Sequence, residues 1–224
     1  MDNKCKYAAN CNGKDCDAAF CERKYRLDNM FNKSLLTTLQ QRHIQLSIDE
    51  NEKDLAAFQY LASIAADIEN FVDSGGNLFI YSRTCGNGKT SWAIKLMESY
   101  FYQTWPKKDL SCHALFISVP RFLLALKANI SEPNEYAQTI LKRVNEAELV
   151  VWDDIAAKIG TEFELNHLLS LIEGRVAEGK SNIYTSNLTP QELVSAVGER
   201  LASRIANLST TVHFEGTDKR RSIF

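Results

Sequence analysis

The residues with the clearest chemical potential run from Arg83 to Ser91, in the order Arg-Thr-Cys-Gly-Asn-Gly-Lys-Thr-Ser. Glycines at 86 and 88 let successive backbone N–H groups curl around an anion, and a helix opening at the same place aims its positive end at it. Lys89 then reaches β- and γ-phosphates while the Thr90 hydroxyl holds magnesium. Thr84, Cys85, Gly86, Asn87, Gly88, Lys89, Thr90 and Ser91 are therefore the candidate cradle for ATP or ADP. One position departs from the pattern G-x-x-x-x-G-K-[ST], because Arg83 stands where its first glycine belongs. A side chain there restricts the first turn of the loop to negative φ, so a different turn is expected. Taken alone, an ordinary glycine-rich turn with an exposed lysine is the plainer alternative.

Two acidic residues complete the set. Asp153 and Asp154 follow the apolar run Leu149-Val150-Val151-Trp152. A carboxylate at a strand end can hold the magnesium shell, which assigns Asp153 to the metal and Asp154 to the attacking water. Aspartate is shorter than the glutamate common at the second place, and slow hydrolysis is expected. Asn187, just past Tyr184-Thr185-Ser186, can bond the γ-phosphate or the lytic water, although asparagine is also a common turn residue. Arg200 and Arg204 lie four apart and share one helical face. Presented by a neighbouring subunit, such an arginine neutralises charge developing on the γ-phosphate; the plainer alternative is a pair of surface salt bridges.

A second constellation stands near the start. Cys5, Cys11, Cys16 and Cys21 are set among Asn, Gly, Lys and Asp, in a stretch too short and polar to build a core of its own. A tetrahedral thiolate site for zinc would supply the missing folding energy. The spacing is wider than paired Cys-x-x-Cys, and free thiols or redox pairing are the alternatives. His43 could replace one cysteine as the fourth ligand.

These residues need elements to position them. Leu78–Tyr81 predicts the strand that delivers the loop, and the periodicity of Trp92, Ile94, Leu96 and Met97 predicts the helix that leaves it. Strands are also predicted for Ala114–Val119, halted by Pro120, and for Leu149–Trp152, Asn182–Thr185 and Thr211–Phe214. Helices are predicted for Leu55–Val72, Tyr136–Ala147, Phe163–Val176 and Gly198–Ala206. Residues 22–50 read as a helix and a connector. Strands alternating with helices imply a parallel sheet covered on both faces, with ligands beyond the carboxyl ends of its strands. The division expected is 1–50 as an N-terminal zinc-binding and partner-binding segment, and 51–224 as the ATPase domain.

Composition sets the compartment and the partners. The chain has 224 residues, 45% hydrophobic and 24% charged, as a soluble globular protein has. A net charge of −2 gives no global pull toward nucleic acid, so any such contact needs a local basic patch. Basic and stacking side chains occur together from Arg121 to Lys127, with Phe122 between; the alternative is a helix with Phe and Leu facing the core and its cations facing water. No long apolar window and no signal-peptide core is visible, so a cytoplasmic protein without membrane contact is expected.

The order Gly-Asn-Gly-Lys-Thr, Val-Val-Trp-Asp-Asp-Ile, Tyr-Thr-Ser-Asn-Leu and Gly-Glu-Arg-Leu-Ala-Ser-Arg-Ile resembles the AAA+ ATPases of the DnaC/DnaI-type helicase loaders, including bacteriophage versions. The resemblance covers about residues 55 to 224. It implies Lys89 and Thr90 as Walker A, Asp153 and Asp154 as Walker B, Asn187 as sensor 1, and Arg204 as arginine finger with Arg200 second. It also implies the stretch from Arg121 to Lys127 as the candidate for single-stranded DNA. It implies a weak magnesium-dependent ATPase that self-associates through that finger, binds a hexameric replicative DNA helicase and delivers it onto single-stranded DNA in a bacterial cytoplasm. No separate helical lid is expected, and Arg220 or Arg221 could stand in for the lid's arginine. An ATP-stabilised adaptor with negligible hydrolysis and a transposase-helper ATPase are the competing expectations.

Overall fold

Five runs of four to six residues form five parallel strands: β1 Asn77–Tyr81, β2 Ala114–Ser118, β3 Leu149–Asp153, β4 Ser181–Ser186 and β5 Thr210–His213. They lie in the order β2-β3-β4-β1-β5 in a computed structural model that describes residues 5, 7, 20–42, 45–48, 52–157 and 161–219. Successive side chains on a strand point to opposite faces, and the two faces here carry separate cores. Leu78 and Ile80 join Phe116, Leu149, Val151, Ile183 and Val212 on one side. Phe79 joins Leu115, Ile117, Val150, Trp152 and Tyr184 on the other.

Helices seal both faces, as a parallel sheet requires. The first core is covered by α1 Glu22–Lys33, α2 Leu55–Ala66, α3 Ile68–Asp73 and α4 Lys89–Thr104. The second is covered by α5 Val119–Ser131, α6 Glu135–Arg143, α7 Glu162–Ala177 and α8 Pro190–Ala202. Helix α1 places Leu27, Met30 and Phe31 in the same core as α4, with Phe31 edge-on to Phe101 at 5.0 Å between ring centroids. After it, the Ser34 carbonyl accepts the Phe116 N–H at 2.8 Å and covers part of the β2 edge. No helix among the described residues is long and apolar enough to cross a membrane.

Several predicted elements differ in extent, among them the helix expected over Tyr136–Ala147, which runs from Glu135 to Arg143. The single helix expected over Leu55–Val72 is two, broken at Asp67, whose φ of −130° and ψ of 42° are not helical. Gln103 on α4 fills the break: its amide donates to the carbonyls of Ala65 and Ala66, and its Oε1 accepts the Glu69 N–H. Pro120 does not halt a strand but sits in the first turn of α5, where a missing N–H costs nothing. Helix α8 begins well before Gly198, at a capping box between Thr189 and Glu192. Gly198 kinks it, with φ 79°, and a π-helical turn, Ser203–Asn207, carries it to β5.

Candidate nucleotide site

Strand order brings the site together. β4 lies between β3 and β1, with Tyr81 opposite Ser186 and Trp152 opposite Tyr184, so Asp153, Asn187 and the loop after Tyr81 meet at one end of the sheet. They enclose a cavity of about 250 Å³ lined by Cys85, Gly86, Asn87, Gly88, Lys89, Thr90, Ser91, Asp153, Asp154, Thr185 and Asn187. Thr84 is the one predicted cradle residue off its wall; it contributes its carbonyl, which accepts from Lys89 Nζ at 2.8 Å.

The loop is shaped from within. Gly86 and Gly88 have φ of 76° and 104°, a region where a side chain would be strained, and Gly88 is the N-cap of α4. The Ser82 hydroxyl accepts from Asn87 Nδ2 at 2.6 Å and from the Thr84 N–H at 3.1 Å, which folds the loop back over its own start. Lys89, 7% exposed, also donates to the Ser82 carbonyl and to Asn87 Oδ1. These oxygens hold the ammonium at the loop's centre, where phosphate oxygens could take their place. Arg83 is outside the positive-φ residues, as expected, and its guanidinium points away to Glu192 Oε1 on α8 at 2.7 Å.

On the acidic side, Asp153 Oδ1 accepts from the hydroxyls of Thr90 and Thr185, both at 2.8 Å. Burial pushes the Asp153 carboxyl above the usual range, while the two hydroxyls pull it back. A hydroxyl and a carboxylate oxygen side by side are hard donors that fit magnesium. Asp154 takes the left-handed backbone region, with φ 58°. Its N–H donates to Thr185 Oγ1 at 2.9 Å, the next N–H donates to the Thr185 carbonyl, and its carboxylate accepts from Asn187 Nδ2 at 3.2 Å. Thr185 thus orients both aspartates. Sequence reading missed it, and its place in Tyr-Thr-Ser-Asn, one strand over from the acidic pair, was the available signal.

Other predicted residues lie elsewhere. Arg200 and Arg204 are off the cavity wall and share Glu173 of α7, Arg200 through two bonds of 3.2 and 3.1 Å and Arg204 through one of 3.4 Å. Within one subunit this is the salt-bridge arrangement. Phe122 is fully buried and offers no ring to a base; Arg121 lies over the Tyr136 ring and Lys127 pairs with Glu164. Cys5 and Cys21 are partly exposed thiols, and no metal-holding group of His, Cys, Asp or Glu occurs among the described residues. Cys11, Cys16, His43, Arg220 and Arg221 lie outside the described residues.

No protein-family model matches this sequence, and no curated protein matches it. Solved structures do. The DnaC helicase loader aligns with a TM-score of 0.59 and 19% identity, over 79% of this chain and 96% of that one. DnaI aligns with a TM-score of 0.64 and 17% identity, over 83% and 95%. A replication initiator, DnaA, solved with AMPPCP and single-stranded DNA, aligns with a TM-score of 0.60 and 20% identity. That match covers 78% of this chain but 50% of DnaA, so the chain spans half its length. At these identities the likeness establishes a shared α/β fold around a parallel five-stranded sheet.

Proposed function

We propose that the chain is a magnesium-dependent AAA+ ATPase of the DnaC/DnaI type that binds a hexameric replicative helicase and delivers it onto single-stranded DNA. The observation that carries the nucleotide reading is the convergence of Lys89, Thr90, Asp153 and Asn187 on one cavity. The partners are supported by the likeness of fold to loaders and to an initiator solved with single-stranded DNA.

In this reading the loop amides and Lys89 bind the β- and γ-phosphates. Thr90 and Asp153 would hold magnesium, which would neutralise charge on the phosphate oxygens. Asp154 and Asn187, already bonded to each other, orient the attacking water between them. The short Asp154 side chain keeps turnover slow. Arg204, with Arg200 second, leaves Glu173 to reach the γ-phosphate of an adjoining subunit, so ATP favours assembly and hydrolysis loosens it.

Zinc belongs to the same proposal. Cys21 caps α1, and its sulfur accepts the Lys24 N–H. With Cys5, Cys11 and Cys16 it would hold one zinc ion and present residues 1–50 to the helicase. Metal analysis of purified protein should find one zinc per chain, and none would remove this part alone.

The test of the whole is the size of mixtures with replicative helicases, with and without ATP. A nucleotide-dependent complex with a hexameric helicase supports loading. Recovery of a transposase instead from host lysate would move the chain to the transposase-helper reading. Tight helicase binding with no single-turnover hydrolysis would make it an adaptor.

A further inference from the structure

β5 runs into a segment, Phe214–Lys219, that returns to the phosphate loop. Asp54, just before α2, is its main anchor: the carboxylate accepts the Glu215 N–H at 2.6 Å and the Gly216 N–H at 3.0 and 3.1 Å, and the residue is 2% exposed. Lys219 Nζ pairs with Glu52 on the same stretch, and the Lys219 backbone N–H donates to the Gly86 carbonyl at 3.1 Å. The fit is close. A Cβ on Gly216 would lie 2.3 Å from Asp54 Oδ2, and one on Gly86 would lie 1.8 Å from Asp218 Oδ1. None of residues 214–219 lines the nucleotide cavity, although Gly86 does, so the segment backs the loop from its outer side.

The Lys219 bond has a consequence for the inner side. In a trans peptide the carbonyl and the following N–H point in opposite directions. With the Gly86 carbonyl bonded to Lys219, the Asn87 N–H of the same peptide points the opposite way, away from the Lys219 side. A glycine-rich loop without such support would have to be ordered at the moment of binding, and that entropy would be subtracted from its affinity.

We propose that residues 214–219 are a brace that pre-sets the phosphate loop, and that Asp54 is the positioning residue on which the brace hangs. The proposal rests on the nucleotide reading above and adds to it a determinant outside the cradle. Asp54 acts through backbone: it holds Glu215 and Gly216, these place Lys219, and Lys219 fixes the Gly86–Asn87 peptide.

The experiment is a calorimetric titration of the full chain with magnesium ATP, in wild type, Asp54→Ala, Gly216→Ala and Val212→Ala. Val212 is a buried core residue of β5 and reports plain destabilisation near the same place. Asp54→Ala and Gly216→Ala should each raise the Kd for ATP about tenfold, while Val212→Ala binds as wild type does. Amide exchange without nucleotide should show the Lys219 N–H protected in wild type and unprotected in Asp54→Ala. Wild-type affinity in both brace variants, or an equal loss in Val212→Ala, would overturn the brace and leave the nucleotide reading standing. Wild type that takes up no ATP would overturn the nucleotide reading and the brace with it. If Asp54→Ala fails to fold, Gly216→Ala with its Lys219 exchange decides.

Discussion

The two ends of the sheet both gather buried polar groups, and they do so to opposite effect. At the amino ends, Arg175 of α7 is wholly buried and uses all five of its N–H donors: on the carbonyls of Val144, Ala147, Glu148 and Ser181 and on Asn182 Oδ1. Asn182 also takes the Trp152 indole N–H and gives its own amide to Asn77 and Lys180. Beside it, Glu148 binds Tyr100, Lys108 and His113. At the carboxyl ends, Lys89, Thr90, Asp153, Asp154, Thr185 and Asn187 are also bonded, yet they border an open cavity. Burial of polar groups alone does not mark a site. A network closed on itself holds strands together, and one that borders a cavity can trade its bonds for a ligand's.

If the comparison is right, changes at the two ends should separate stability from nucleotide chemistry. The largest expected effect is at the closed end. Arg175→Ala strands several buried carbonyls and should cost about 3 kcal/mol or more of stability. Denaturant unfolding would report it, with ATP affinity unchanged where the protein is folded; lost affinity without lost stability would erase the distinction. At the open end, Lys89→Ala should weaken ATP binding about 100-fold, with the melting temperature near wild type. Unaltered affinity in that variant would contradict the cradle.

A finer test uses Thr185. Thr185→Val keeps the shape but removes the hydroxyl that aims both aspartates, and should slow hydrolysis about tenfold, while Thr185→Ser restores it. Equal rates in the two variants would leave Thr185 as packing.

The smallest effect is in pH dependence at the closed end. Bonds to Glu148 and then Asp109 raise the His113 pKa above its ordinary value of 6.5, against the lowering effect of burial. The folded value is the higher one, so this stabilisation is full below 6.5 and is lost as pH rises through the folded value. Glu148 runs the other way: its bonds to His113, Lys108 and Tyr100 lower it from 4.5 to about 2, so its contribution is full above 4.5 and lost as pH falls toward 2. The cluster is strongest between those ordinary values. His113→Gln should flatten the decline in melting temperature from pH 6 to 8, by an amount worth about 1 kcal/mol or less, with ATP affinity unchanged. An identical pH profile in wild type and variant would remove His113 from the account.

What could be read from sequence was what local chemistry dictates. Leu149-Val150-Val151-Trp152 is buried on both faces and reads as a strand without context, and Gly86 and Gly88 announce a loop that needs positive φ. What could not be read depends on distant partners. The break at Asp67 is satisfied by Gln103 from another helix, and the apolar spacing runs through it unbroken. Arg175 has the composition of a surface residue; its burial needs carbonyls from the turn between α6 and β3 and from β4. Asp54 and Gly216 are far apart in the chain, and nothing local to either shows that one clasps the other. Thr185 looked like part of a β-rich run because its hydroxyl's partners sit on the neighbouring strand.

The central claim is that the cavity after β1 takes a nucleoside triphosphate although Arg83 stands in place of glycine. Titrating the wild-type chain with ATP in a calorimeter, with and without magnesium, tests it most directly. A single saturable site per chain that tightens with magnesium is the expected result. No heat of binding under either condition would contradict it.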